Sequence, residues 1–357
     1  MKGDMVAVKM APLTDQDILA VLSVIIREPK IRESIGSLRD YDGSFEIPGL
    51  ARFRINVMRN QDHLGIIMRI VPMKVPTIEQ LGLSKSLARI ASMQRGLVLV
   101  TGVTGSGKTS TLAAMIDYIN ANFPLHILTI EDPIEFVHPQ KKGRVTQREV
   151  GRDTDSFSMA LRAALRQDPD VILVGEMRDK ETIDIAIKAA ETGHMVLSTV
   201  HTTDAIKTIG RLVSVFAPEE QKTVRRRLAE NLTATISQRL LPRADGKGMI
   251  AGQEIMICNS GIADCIVDSN LTGGINDLIE KSVCEDGSGG KTFEQDLVNL
   301  YMRKLITLDV AKEFASSAND LERNLTYGSK TQESPKMGEG VELDHGTGLV
   351  EKEKSAA

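Results

Sequence analysis

At 357 residues the chain is long enough for two domains, because single hydrophobic cores stop growing near ~250–300 residues. Hydrophobic residues at 41%, charged residues at 26% and a formal net charge of −4 describe an ordinary globular protein and exclude a global basic field that would draw it onto nucleic acid or anionic lipid. Three cysteines, Cys258, Cys265 and Cys284, form neither an even disulfide set nor a C-x-x-C pair, which favours a reducing compartment. No apolar run approaches the ~20 residues of a membrane span, and the N-terminus lacks a charged-then-apolar signal pattern, so a cytoplasmic location is expected.

In chain order, residues 15–27 read as an amphipathic helix and 52–57 and 65–70 as short strands, together a small α+β module. Val71-Pro-Met-Lys-Val-Pro76 reads as a link between domains, since each proline removes a backbone donor and biases its predecessor to extended geometry. Beyond about residue 77 strands and helices alternate. Strands are predicted at 97–101, 127–130, 171–175 and 195–200, and helices at 109–121, 156–167 and 181–192, which implies a parallel sheet with covering helices. Gly193 suits the position just past a helix end, and Pro218 the first turn of the next. On that next helix Val224, Leu228, Leu232 and Ile236, spaced four apart, are expected to bury one face. A turn at 244–248 leads to an extended run at 249–257 and a helical terminal region. The tail, 326–357, is rich in Gly, Ser, Lys and Glu and is expected to be disordered.

Residues 102–109 read Gly-Val-Thr-Gly-Ser-Gly-Lys-Thr and fit the spacing of a phosphate-binding loop. Successive backbone N–H groups must curl round a phosphate, and Gly102, Gly105 and Gly107 supply the φ/ψ freedom that this requires. Val103, Thr104 and Ser106 complete the loop. Lys108 is expected to reach the β/γ-phosphates and Thr109 to ligate Mg²⁺, so ATP and Mg²⁺ are the implied cofactors. A simple Gly/Ser/Thr turn is the bland alternative, but the strand before the loop and the helix after it are what the phosphate loop needs.

The predicted strand 127–130 intervenes in sequence between this loop and Val171-Ile-Leu-Val-Gly-Glu176, an arrangement of recombinase-like rather than small-kinase sheets. Glu176, at the carboxyl end of its strand, is the leading catalytic candidate, placed to orient the attacking water. A helix-terminal acid is its structural alternative. Ile130-Glu-Asp-Pro-Ile-Glu135 puts Glu131, Asp132 and Glu135 at the same end of another strand. They could hold Mg²⁺, Asp132 in particular, or form an acidic turn. His201 follows strand 195–200 at its carboxyl end, where it could read the γ-phosphate, whereas His194 lies at the opposite end and too far away to share a metal. Arg52, Arg54 and Arg59 lie in the first module, Arg52 and Arg54 on one strand face. They are either solvated charges or, in a ring, groups that reach a neighbour's ATP. The run Arg225-Arg226-Arg227 reads as a solvated or inter-subunit helix face; no aromatic platform accompanies it, so no nucleic-acid partner is expected.

These residues resemble the secretion-type ATPases, and within them the PilT and PilU group of type IV pilus retraction motors. The resemblance runs from about residue 46 to 325 through four motifs in order: a Walker A box at 102–109, an aspartate box at 130–135, a Walker B box at 171–179 and a histidine box at 193–204. Gln147-Arg-Glu-Val-Gly151 and Leu165-Arg-Gln-Asp-Pro169 join them. It implies a recombinase-like P-loop ATPase core of the ASCE type, preceded by a small α+β PAS-like N-terminal domain. The expected division is 1–72 for a shortened PAS-like domain, 73–80 for the linker, 81–325 for the ATPase domain and 326–357 for the tail. The resemblance also implies a homo-hexameric ATP-hydrolysing motor, peripheral at the inner-membrane pilus base, working on a pilus platform protein, with a sister pilus ATPase as a further partner. Glu176 would be the general base, Glu131 and Asp132 would support metal and water, and His201 would contact the γ-phosphate region. Arginines matching Arg52, Arg54 and Arg59 would act across subunits.

The chain departs from that pattern in three places. Members of the group begin some tens of residues earlier with a Gly-Ser-Asp-Leu-His stretch, so the first domain is expected to be incomplete here. The retraction motif Ala-Ile-Arg-Asn-Leu-Ile-Arg is replaced by Gly261-Ile-Ala-Asp-Cys-Ile-Val267, without either arginine, while 292–297 and 317–321 look more like the PilU branch. A four-cysteine zinc insertion, usual in assembly and type II secretion ATPases, is excluded by the cysteine count. A low-turnover accessory subunit and a nucleic-acid translocase are the alternative functions.

Overall fold

The computed structural model describes residues 8–71, 74–284, 286–315, 321–322 and 325. The expected tail at 326–357, most of the 317–321 segment and part of the link at 72–73 lie outside them. Among the described residues no helix is long and apolar enough to cross a membrane.

The first module consists of α1 (Asp15–Ile25), α2 (Pro29–Arg32), β1 (Asp40–Ile47), β2 (Ala51–Asn60) and β3 (His63–Val71). A capping box starts α1: the Thr14 hydroxyl accepts from the Asp17 N–H and the Asp17 carboxylate accepts from the Thr14 N–H. Leu22 and Ile25 of α1 pack with Ile55 and Val57 of β2 in a core of the module's own. The three strands form an antiparallel sheet in the order β1-β2-β3. Because side chains alternate along a strand, Ile55 and Val57 face α1 while Arg52 and Arg54 face away from it.

A second sheet of seven strands lies between two layers of helices, in the order β10-β9-β4-β8-β7-β5-β6. Its strands are β4 (Gly96–Thr101), β5 (His126–Glu131), β6 (Arg144–Glu149), β7 (Val171–Val174), β8 (Met195–Val200), β9 (Leu232–Pro242) and β10 (Met249–Ile257). All neighbours pair in parallel except β9 and β10. The near-continuous apolar run Leu97-Val-Leu-Val100 is what a strand covered on both faces requires. Leu97 and Leu99 pack into one layer, Val98 and Val100 into the other.

On the first face lie α5 (Phe157–Ala164), α6 (Lys180–Glu191), α7 (Ala205–Ser214), α8 (Pro218–Asn231), α9 (Ser260–Val267) and α10 (Ile275–Glu280). On the second lie α3 (Ser86–Ala91) and α4 (Lys108–Asn122). A smaller cluster packs Leu241 and Ile250 of the β9/β10 pair against α11 (Phe293–Met302) and α12 (Leu308–Phe314).

One expectation is corrected. The helix predicted to carry Val224, Leu228, Leu232 and Ile236 ends at Asn231, and Leu232 and Ile236 belong to β9. The run Leu232-Thr-Ala-Thr-Ile236 is rich in β-branched residues and pairs with β4, so long-range strand pairing overrides the helical spacing. The 127–130 strand, which intervenes in sequence between β4 and β7, lies beyond β7 in the sheet, and β8 separates β4 from β7, as a recombinase-like sheet requires. Strands β1 and β6 carry too many polar residues to stand out in the sequence.

Candidate active site

The parallel strands deliver the sequence motifs to one edge of the sheet. Gly102 follows β4, Glu131 ends β5, Glu176 lies two residues past β7 and His201 directly follows β8. The crevice outside the carboxyl ends of such strands is where α/β proteins bind ligands. Here that crevice is a cavity of about 1030 Å³, closed on its far side by Asp42, Gly43, Arg54 and Arg69 of the first module.

The 102–109 loop wraps the start of α4. Gly102, Gly105 and Gly107 have φ of +147°, +81° and +90°, values that L side chains rarely adopt. Gly102 is also confined, since a Cβ there would lie 2.6 Å from the Gln238 carbonyl oxygen. Lys108 is 8% exposed; its Nζ donates to the carbonyls of Gly102 and Val103, each at 2.9 Å. Burial pulls its ammonium below the usual lysine value, and the Glu176 carboxylate partly offsets this. The buried Ser106 hydroxyl has no hydrogen-bond partner among the described residues. Left-handed glycines, an inward-held ammonium, a free hydroxyl and a helix N-terminus together fit a bound phosphate chain.

Glu176 is gripped from two sides: Arg178 Nε lies 2.6 Å from its Oε1 and His201 Nε2 lies 3.6 Å from its Oε2. Because β8 is inserted between β4 and β7, His201 stands between the phosphate loop and Glu176. Burial lowers the His201 pKa and the nearby Lys108 charge lowers it further, against the pull of the Glu176 carboxylate. Two acids of these motifs are structural. Asp179 caps α6 by accepting from the Thr182 N–H at 2.8 Å, and Asp204 caps α7 by accepting from the Lys207 N–H at 2.8 Å.

The aspartate box is split in character. Glu131 is buried, and its Oε1 accepts from the Thr129 hydroxyl at 2.7 Å and Gln147 Nε2 at 3.1 Å. Burial raises its pKa, against the pull of those two hydrogen bonds. Asp132 is exposed and Glu135 half-buried, both lining the cavity with Thr109. No group of three or more His, Cys, Asp or Glu with metal-ligating geometry occurs among the described residues. Thr109 and Asp132 bring a hydroxyl and a carboxylate oxygen to the cavity wall, donors of the kind that Mg²⁺ takes.

The three predicted arginines part company. Arg54 faces the cavity, 3.9 Å from Glu135. Arg52 pairs with Glu149 at 3.2 Å. Arg59, expected to act across subunits, donates to the carbonyls of Gly36, Leu38 and Asp62 of its own module and does not line this cavity. Sequence reasoning missed Arg69, which the strand register places opposite Arg54, and Glu149, which was visible only as part of the 147–151 motif. His194 lies at the opposite end of β8, bonded to Thr192 and the Ala189 carbonyl. Of the 225–227 run, Arg227 pairs with Asp184 and Glu191, and Arg225 donates to the Ile266 carbonyl at the end of α9.

Comparison with known proteins points to one family. The family described as type II/IV secretion system protein matches residues 44–284. The type IV pilus retraction ATPase PilT of Pseudomonas aeruginosa is 46% identical over 88% of this chain and 89% of its own length. The PilU ATPase of the same organism is 36% identical over 92% of this chain and 85% of its own. A crystal structure of the pilus retraction motor PilT with bound ADP superposes with a TM-score of 0.79 at 43% identity, covering 86% of each chain. The ATPase DotB of Legionella pneumophila superposes at 0.72 with 28% identity, over 87% of this chain and 86% of its own.

Proposed function

Because the chain belongs to the type II/IV secretion system protein family, we propose that it is an ATP-hydrolysing motor of type IV pilus retraction, working as a hexamer. The observation that carries this reading is the placement of Glu176 and His201 at the ends of adjacent strands, facing Lys108 and the phosphate loop across one cavity. Nucleotide phosphates lie along the backbone N–H groups of 102–109, and Lys108 turns from the Gly102 and Val103 carbonyls to the β/γ-phosphates. Glu176 orients the attacking water and accepts its proton; His201, neutral, donates a hydrogen bond toward the γ-phosphate. Thr109 and Asp132 would hold Mg²⁺, which would supply charge neutralisation on the phosphates. Glu131 and Glu135 fix the water and loop around it. Arg54 and Arg69 add positive charge from the first module where charge spreads over the transferring phosphoryl. Arg52 is a supporting group.

In this reading residues 1–72 form the PAS-like domain, 73–80 the linker and 81–325 the ATPase domain. The motor acts at the membrane base of the pilus on a platform protein. Higher identity to PilT than to PilU supports the role of a main motor over that of an accessory subunit. α9, which replaces the arginine-bearing retraction motif, packs Ile262, Cys265 and Ile266 inward and leaves no arginine on that helix for a partner. The test is twofold. Purified protein should hydrolyse ATP and lose turnover as Glu176→Gln, and deletion of the gene should abolish pilus retraction. Normal retraction in the deletion strain, with no sister ATPase present, would refute the motor role.

A further inference from the structure

The polar contacts between the first module and the remainder of the chain converge on two carboxylates. Among the described residues they are Arg52 to Glu149, Ser44 to Glu149 and Arg54 to Glu135. Glu149 ends β6, directly opposite Glu131 of β5, and is 5% exposed. Its Oε2 accepts from Arg52 Nη2 at 3.2 Å and from the backbone N–H of Ile134 at 3.2 Å, while its Oε1 accepts from the Ser44 hydroxyl at 3.3 Å. Ile134 lies inside the aspartate box, between Asp132 and Glu135. One buried carboxylate therefore grips both the sheet of the first module and the acidic loop of the ATPase core.

A buried ion pair gives little net stability compared with well-packed apolar groups, so packing alone does not account for it. What it gives is direction, because each charge-assisted hydrogen bond fixes its donor in angle as well as distance. We infer that Glu149 is a positioning residue for ATP hydrolysis, which through Arg52 follows the orientation of the first module and through the Ile134 N–H sets the loop carrying Asp132 and Glu135. Seating of the module over the cleft and placement of those acids are then a single event. Glu149 acts through these two neighbours and not on the nucleotide. The inference rests on the cleft being the hydrolytic site.

The experiment compares full-length wild type, Glu149→Asp, Glu149→Gln, Arg52→Gln and the Arg52→Gln/Glu149→Gln double variant. Steady-state ATP hydrolysis, equilibrium binding of a fluorescent ADP analogue and thermal melting are measured for each. Glutamine keeps the size but turns one acceptor oxygen into a donor; aspartate keeps the charge but is one methylene too short to hold both partners. The expected result is a fall in kcat of about tenfold or more for both Glu149 variants, with ADP affinity within about twofold of wild type. The double variant should be no slower than the slower single one, as coupled partners require. Wild-type kcat in Glu149→Gln overturns the inference, as do multiplicative losses in the double variant or equal losses of kcat and ADP affinity. Should Glu149→Gln fail to fold, Glu149→Asp is read by the same criteria. Normal hydrolysis by Glu176→Gln would remove the hydrolytic site itself, whereas an inactive Glu176→Gln beside a normal Glu149→Gln removes only the role of Glu149.

Discussion

Arg54 and Arg69 stand directly opposite each other on β2 and β3, both lining the cavity above the phosphate loop. Like charges at directly opposed positions of an antiparallel pair repel. Arg54 has the Glu135 carboxylate at 3.9 Å, a distance that gives weak compensation, and Arg69 has no hydrogen bond or ion pair among the described residues. Two guanidiniums held together in this way suit an anion, and the phosphate loop lines the same cavity.

Arg69→Ala is therefore expected to move activity and stability in opposite directions. Relief of the cross-strand repulsion should leave the fold as stable as wild type or more stable by about 0.5 kcal/mol, read by urea unfolding. ATP turnover should fall about tenfold or more, since the lost charge acts where phosphoryl charge spreads in the transition state. Unchanged turnover would remove Arg69 from the site.

Lys108 and Glu176 should separate binding from chemistry. Lys108→Ala removes the cation that meets the phosphates, and nucleotide affinity should drop beyond detection in a fluorescent ADP titration. Glu176→Gln keeps the volume but cannot take a proton; binding should persist while turnover falls about hundredfold or more. Arg178 and His201 hold Glu176 by its charge, so the glutamine variant should also free the Arg178 side chain. Wild-type hydrolysis by Glu176→Gln would refute the catalytic assignment.

Much of this site is legible in the sequence because it is local. Gly102 to Thr109 and His201 directly follow their own strands, Glu131 ends its own and Glu176 follows its own within two residues, so a strand's carboxyl end is enough to locate them. Arg69 is a different case. Its position depends on the β2–β3 register, which pairs it with Arg54 across a turn, and on the packing of that sheet over the core. Glu149 ends a strand with the polar sequence Arg-Val-Thr-Gln-Arg-Glu, in which no apolar alternation marks the fold. Arg59 shares the module with Arg54, but the two-residue strand period puts it on the other face of β2. At Leu232 the helical spacing of apolar residues continues past the helix end by coincidence, and pairing with β4 decides the conformation.

His138 sets a pH dependence of stability. It is 7% exposed, lines the cavity beside Phe136, and its pKa is pushed down to about 4 from 6.5, by burial first, with Asp117 opposing and Lys141 assisting. The folded state thus prefers the neutral ring, while the unfolded state takes up a proton below 6.5. Unfolding then binds protons, so this contribution is complete above pH 6.5 and is lost as pH falls toward about 4. Integrated to ~pH 5 the loss is about 2 kcal/mol. Unfolding free energies from urea titrations at ~pH 8 and ~pH 5 should differ by that amount more in wild type than in His138→Gln. Equal pH dependence in the two proteins would show that His138 titrates normally.

Gly102→Ala tests the loop by sterics alone. The residue has φ +147°, outside the range that alanine adopts without strain, and the new Cβ would sit 2.3 Å from Ser106 Oγ and 2.6 Å from the Gln238 carbonyl oxygen. The Ser106 hydroxyl can rotate away, but Gln238 belongs to β9, whose backbone is fixed by pairing with β4 and β10. The strain must therefore fall on the loop, which is expected to tilt its N–H groups out of the phosphate cradle. Gly246, at φ +68° with nothing within 4 Å of a notional Cβ, supplies the control: alanine there meets the backbone strain without the collision, and outside the cavity lining. Gly246→Ala should cost about 1 kcal/mol of stability and leave ADP affinity unchanged. Gly102→Ala should lower ADP affinity about tenfold or more, with a larger loss of stability than the control. Nucleotide binding equal to wild type in Gly102→Ala would mean that the cradle tolerates the displacement, and that Lys108 rather than the loop backbone holds the phosphates.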